Sequence, residues 1–267
     1  MIYLFISLVV VSLPAQNQTD LLYLAFDYIE LNRLDSAEIA LKTFLRNEPD
    51  NPLNPYLLNN LGTIQRRSGK LDEALISYSA ALGTQPTNPV FLESRASLFA
   101  EMGKAQNALI DYSAILNDNP NNEEALYQRG LLYLQIKNTD LAETDFRRML
   151  EINPMGLYAR RGFASLAKFL GDYAEAEKIY NYLIDKEPED LNLFAGRAEL
   201  YLLMGKPGKA LSDINRAIRL AGADSRNPYL YITRYRAKLL LREEKDAQKD
   251  LKRAVELGYK EMGETGE

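Results

Sequence analysis

EEALYQRGLLYLQIKNTDLAETDFRRMLEINPMG, residues 123–156, holds two helical patterns back to back. Leu126, Gly130 and Tyr133 fall on one face at helical spacing, and after a break at Asn138-Thr139 the pattern resumes at Ala142, Phe146 and Met149. Pro154 then removes an amide hydrogen and ends the second helix. Neither helix can bury its apolar stripe alone, so the segment predicts an antiparallel helix pair that needs neighbours.

The neighbours are copies of the same unit. The alanine at 142 returns as Ala37, Ala74, Ala108, Ala176, Ala210 and Ala247, with spacings of 37, 34, 34, 34, 34 and 37 residues along the whole series. A period in this range marks a solenoid whose units stack on one another. Eight positions into each unit comes a small residue (Ala25, Gly62, Ala96, Gly130, Ala164, Ala198), which lets the facing helix approach closely. Bulk is supplied by Tyr28, Phe99, Tyr133 and Tyr201 in the first helices and by Leu41, Tyr78, Tyr112, Phe146, Tyr180 and Leu251 in the second. Gly69, Gly103, Gly171 and Gly205, with Asn32 in the first unit, stand where the first helix must stop. Pro49, Pro86, Pro120, Pro154 and Pro188 separate the units, and side-chain oxygens such as those at Thr87-Asn88 and Asn121-Asn122 can cap the helix that follows.

Helix pairs of 34 residues, with a small residue then Tyr in the first helix, Ala then an aromatic in the second, and a closing Pro, resemble tetratricopeptide repeats. Seven fit the pattern, at 18–51, 55–88, 89–122, 123–156, 157–190, 191–224 and 228–261, with insertions near Pro52-Leu53-Asn54 and Arg226-Asn227 accounting for the longer spacings. The resemblance implies an all-α, right-handed superhelical α-solenoid, here one domain over residues 16–261. The seventh unit departs most, with Tyr235 at the small position, and Gly222 and Tyr259 replace the closing proline of the last two units. The tail 262–267 has nothing to pack and is expected to be disordered.

Residues 1–15, MIYLFISLVVVSLPA, lie outside the repeat. The run is too short to span a bilayer and ends at a small residue, Ala15, as a secretory signal peptide does. No Lys or Arg precedes Arg33, so only the terminal amine supplies the usual positive start; a buried first helix or an uncleaved anchor is the competing reading. Export to a bacterial periplasm or cell envelope is the expectation.

Composition removes whole classes of chemistry. His, Cys and Trp are absent, which excludes Cys-His nucleophiles, a Ser-His-Asp triad and an ordinary zinc site. Net charge is −5 with a pI near 5.1, against nonspecific nucleic-acid binding. The charge is uneven: residues 16–60 carry seven acids and three bases, whereas 234–253 carry eight bases and four acids. Gly62 to Lys70 lacks the spacing and hydroxyl of a phosphate loop, and the pairs Glu123-Glu124 and Glu243-Glu244 fall at helix starts or turns, where carboxylates are solvated. No cofactor, metal, catalytic residue or small-molecule substrate is expected.

Function therefore falls to a surface. In the family the first helices line a concave groove, to which positions two, five, nine and twelve project. The resulting candidates are Tyr127, Leu131 and Leu134; Tyr158, Arg161, Ser165 and Lys168; and Tyr229 and Arg236, with Glu124, Ile232 and Leu239 completing the rows. Rings, aliphatics and cations together suit a peptide or partner helix carrying apolar anchors and carboxylates. The Lys and Asn pair by which some family members clamp a chaperone C-terminus occurs at positions five and nine of no unit. The expectation is a non-catalytic protein-interaction scaffold. The alternatives are a self-assembling structural protein, joined through Leu22, Tyr23 and Phe26 on an unusually apolar first helix, or an accessory subunit of an envelope enzyme or secretion complex.

Overall fold

The computed structural model describes residues 18–222 and 225–259, and within them all regular structure is helical. The signal-like run 1–15 and the tail 262–267 lie outside the described residues. Fourteen helices follow in order: α1 (Gln18–Glu30), α2 (Leu34–Asn47), α3 (Asn54–Arg67), α4 (Leu71–Thr84), α5 (Pro89–Glu101), α6 (Ala105–Asp118), α7 (Glu123–Gln135), α8 (Thr139–Ile152), α9 (Leu157–Leu170), α10 (Tyr173–Lys186), α11 (Leu191–Leu203), α12 (Pro207–Ala221), α13 (Pro228–Leu240) and α14 (Glu244–Glu256). Two compact units divide between Ala125 and Leu126, inside α7, where the repeat pattern predicts one domain. In the first, α1 packs on α2, α3 on α4 and α5 on α6, with α2 also meeting α3 and α4 meeting α5. The same holds from α8 to α14 in the second.

The breaks have local causes. Seven equivalent residues carry a positive φ after the first helix of each pair: Asn32, Gly69, Gly103, Lys137, Gly171, Gly205 and Arg242. Lys137 (φ 62°) and Arg242 (φ 62°) do this without glycine's freedom, so both turns are strained. The break expected at Asn138-Thr139 is this residue together with Asn138, whose side chain caps α8 by accepting from the Leu141 amide at 3.3 Å. Asn88 likewise accepts from the Val90 amide at 3.0 Å, and Asn122 from the Ala125 amide at 2.9 Å.

Size complementarity builds the core. All seven recurring alanines are fully buried, and so are Ala25, Ala96, Ala164 and Ala198 at the small position. Phe146 shows how tightly the rings are held. A Cβ on Gly130 of its own repeat would lie 2.4 Å from the ring, and one on Gly162 of the next repeat would also lie 2.4 Å away. Gly62 is the same kind of seat for Tyr78, and Gly196 for Tyr180. Burying such a ring contributes roughly 1.5–3 kcal/mol, which the missing side chains make available.

The seventh pair forms although its small position holds Tyr235. Tyr235 and Leu251 are both half-buried, so the bulk has moved from the second helix to the first. Without a closing proline, α12 runs to Ala221 and stops at Gly222, whose φ is 78°.

A buried ion pair recurs in repeats three, four, six and seven. Arg95 meets Asp111, Arg129 meets Asp145, Arg197 meets Asp213 and Arg234 meets Asp250, always sixteen residues apart and with the carboxylate almost wholly buried. These are bidentate or forked contacts, the geometry that makes a buried carboxylate tolerable. Repeat five holds Phe163 and Ile179 at the two positions instead.

Candidate functional site

The groove residues begin with an aromatic step. In the second unit, Tyr127 stacks edge-on to Tyr158 with ring centroids 5.7 Å apart, and the Arg161 guanidinium lies 5.6 Å from the Tyr158 ring centre. Tyr158 is about half exposed, while Tyr127 and Leu131 are half-buried. Leu134, expected beside them, is 6% exposed and belongs to the core, not the groove: an aliphatic chain gains by being drawn under its neighbours, whereas Lys168 at the same repeat position keeps its head at the surface.

The two central cations are already matched. Arg161 bridges the carboxylates of Glu187 and Asp190, and Lys168 contacts Glu199 at 2.8 Å. Burial pulls the Arg161 guanidinium down, but the two carboxylates outweigh it and hold it above its ordinary value. For Lys168, burial is likewise outweighed by Tyr180 and Glu199. Neither cation offers the open charge that the sequence pattern suggests. Arg236 does: it is exposed, with no ion pair among the described residues.

Position nine carries a structural task. Thr63 reaches the Tyr78 hydroxyl at 3.1 Å, and Ser97 the Tyr112 hydroxyl at 3.2 Å. Ser165 hydrogen-bonds the Tyr180 hydroxyl and also donates to the Arg161 carbonyl at 3.2 Å. Where the ring is Phe146 the residue at nine is Leu131, so hydroxyl meets hydroxyl and carbon meets carbon. Ser165 thus serves its own repeat. In the first unit Glu93 has its carboxyl pushed up by burial and by the nearby Glu124, which makes that stretch of the surface acidic.

Further along this surface lies a groove of about 520 Å³ lined by Lys168, Glu199, Leu202, Leu203, Arg236, Leu239 and Leu240. Of these, Lys168 and Arg236 were legible as candidates and Leu239 completed a row; Glu199, Leu202, Leu203 and Leu240 were not. Position thirteen of the repeat carries the missed signal, being Glu30, Arg67, Glu101 and Gln135 in the first four repeats but Phe169, Leu203 and Leu240 in the last three. All three apolar side chains are substantially exposed (45%, 56% and 59%), which makes a continuous apolar edge rather than scattered surface residues. Tyr229, 67% exposed, stands on the same helix as Arg236 and stacks edge-on to Tyr259 at 6.3 Å. On α1, Leu22 packs into the core of the first unit, whereas Tyr23 (67%) and Phe26 (40%) remain exposed.

Among the described residues no group of three or more acidic side chains is placed to hold a metal ion, and no helix is long and apolar enough to cross a membrane.

Two tetratricopeptide repeat family models match the chain, one over residues 24–89 and 161–228, the other over 123–154. A tetratricopeptide repeat protein from Parabacteroides merdae is 45% identical over 91% of this chain and 94% of its own, with a TM-score of 0.75. The fold is shared with more distant structures: Pseudomonas aeruginosa PilF (17% identity, 78% of this chain and 93% of that one, TM-score 0.56) and the Cut9–Hcn1 complex (14%, 92% and 51%, TM-score 0.61). No curated protein is significantly similar in sequence. With helix pairs of one design throughout and a close relative along nearly its whole length, the chain belongs to the tetratricopeptide repeat family.

Proposed function

We propose that this protein is a non-catalytic scaffold that binds a partner protein's helix or extended segment along α9, α11 and α13. Proteins of this family generally mediate protein–protein interaction and are generally non-catalytic, and the finer reading rests on the groove from Lys168 to Leu240. Its leucines offer anchoring sites for two or three apolar side chains, and Arg236 offers an unneutralised charge to a carboxylate on the same segment. The observation that carries this is the change at position thirteen from polar in four repeats to exposed apolar in three. We further propose export to the periplasm or cell envelope, on the strength of the apolar run ending at Ala15.

The test is a peptide library displayed against the folded protein, followed by calorimetry of the enriched peptides. The expected peptides share spaced apolar residues with an acidic residue, and lose about tenfold in affinity or more on Leu203→Asp or Leu240→Asp, as the loss of a buried leucine anchor implies. Peptides that bind these variants unchanged would overturn the reading.

Self-association is a second reading, supported by the exposed rings of Tyr23 and Phe26 on the terminal helix. It predicts a mass that rises with concentration and returns to the monomer value on Tyr23→Glu with Phe26→Glu.

A further inference from the structure

Repeat five lacks the ion pair that repeats four, six and seven around it share, and a hollow lies at that position. In repeats six and seven the arginine at position seven meets its aspartate and also reaches back to the preceding repeat: Arg197 to Asn181 at 2.6 Å, and Arg234 to Asn215 at 3.2 Å. That long side chain fills the notch between one second helix and the next. In repeat five the residue is Phe163, which turns its ring edge-on to Phe146 at 5.9 Å, and its partner position is Ile179. The notch between α8, α9 and α10 is therefore open, about 530 Å³ in volume, with Leu150, Pro154, Phe163 and Ile179 in its walls. That volume lies within the range of sites that take a small ligand or a few side-chain atoms of a larger one.

The rim is polar and cationic. Arg160 donates to the carbonyls of Gly156 at 3.1 Å and Pro154 at 3.3 Å and lies 5.4 Å from the centre of the Tyr182 ring. No carboxylate neutralises it among the described residues. Lys178 is balanced by Glu175 at 3.2 Å, and Lys186 approaches the other side of the rim at 5.7 Å from the Tyr182 ring centre. An apolar floor beside a fixed, unmatched guanidinium is complementary to one chemistry above others: an aromatic or large aliphatic side chain next to a carboxylate.

We propose that this notch is a second docking site, independent of the groove on the first helices, for a partner-protein segment that inserts an aromatic side chain between α8 and α10 and sets an adjacent carboxylate on Arg160. Arg160 and Phe163 stand at positions four and seven of their helix, away from the two, five, nine and twelve positions that form the other groove. One molecule can then hold two segments at once.

The probe is the peptide acetyl-Ser-Phe-Asp-Ser-amide, titrated into the full chain with methyl-labelled Ile and Leu and followed by NMR. The expected result is saturable shifts of the Ile179 and Leu150 methyls, at least fivefold weaker binding when Asp is replaced by Asn in the peptide, and no binding when Phe is replaced by Ala. Phe163→Arg with Ile179→Asp rebuilds the pair found in repeats three, four, six and seven, and should abolish the Leu150 shift while leaving the melting curve of the protein intact. Should that variant melt early, Arg160→Gln with Tyr182→Ala, both nearer the surface, replaces it and should weaken binding at least tenfold. The proposal is overturned by shifts confined to the methyls of Leu202 to Leu240, by equal binding of the Asp and Asn peptides, by no shift at all, or by binding that survives in a folded variant.

Discussion

Gly130→Ala is expected to destabilise this protein, against the usual rule that alanine improves a helix. The usual gain is about 1 kcal/mol. The new Cβ would stand 2.4 Å from Phe146 Cε1 and 2.8 Å from its Cζ, where carbon atoms prefer about 3.5–4.0 Å, so the ring must retreat by about 1 Å. Its room is limited: a Cβ on Gly162 would stand 2.4 Å from Cδ1 and 2.6 Å from Cε1 of the same ring, so that neighbour already sits close, and the ring is fully buried. Overpacking of this kind costs about 1–3 kcal/mol, so the net loss is about 1 kcal/mol for Gly130→Ala and about twice that with Gly162→Ala added. Phe146→Leu should remove most of the penalty, giving a coupling energy of about 1–2 kcal/mol in the double-mutant cycle. Urea unfolding followed by helical circular dichroism measures each corner. Gly83 is the control, since a Cβ there meets nothing within 4 Å and Gly83→Ala should stabilise. A Gly130→Ala protein stabilised as much as Gly83→Ala would refute the reasoning.

Three further outcomes follow from named contacts. Lys137→Gly and Arg242→Gly relieve a left-handed backbone and should each raise stability by about 0.5–1 kcal/mol, seen as a rise of about 1–2 °C in the melting temperature. Arg95→Met strands the buried Asp111 carboxylate and should cost about 3 kcal/mol, most of it recovered by Arg95→Phe with Asp111→Ile, the residue types repeat five already uses; melting of the two variants beside the parent protein decides it. Burial pushes the Glu38 carboxyl up, but hydrogen bonds from Lys42, Lys70 and Gln65 outweigh it and bring it from 4.5 down to about 2. Its stabilisation is therefore complete above about pH 4.5 and lost as pH falls toward 2, and Glu38→Gln should flatten that acid limb in a pH series of unfolding curves.

The architecture was legible because each repeat restates it. Alanines recurring along the whole chain and prolines closing five of the units mark the helix pairs of the solenoid, and the unmatched stretches of the family models, which include repeats three and seven, fold by the same pattern. Gly162 and Gly196 escaped notice because they seat a ring from the preceding repeat, a contact that no single unit contains. The sixteen-residue Arg–Asp spacing was present in four units and could have been read, as could the change from polar to apolar residues at position thirteen after the fourth repeat. The site was less legible. Spacing put Arg161 and Lys168 on one face of α9, but their neutralisation by Glu187, Asp190 and Glu199 joins different repeats through side-chain reach, which periodicity does not encode. Lys137 and Arg242 gave no sign of their left-handed turns, since position in the repeat, and not residue type, imposes them.

The central claim is that the leucine-lined groove on α9, α11 and α13 holds the partner. Its most direct test is a methyl NMR titration of the full chain with the strongest peptide from the displayed library. The account predicts that the methyls of Leu202, Leu203, Leu239 and Leu240 shift together and saturate at the dissociation constant found by calorimetry, while the exposed Ile39, Ile76 and Ile110 on the second helices stay still. Shifts confined to those isoleucines, or leucine methyls unmoved at saturation, would contradict it.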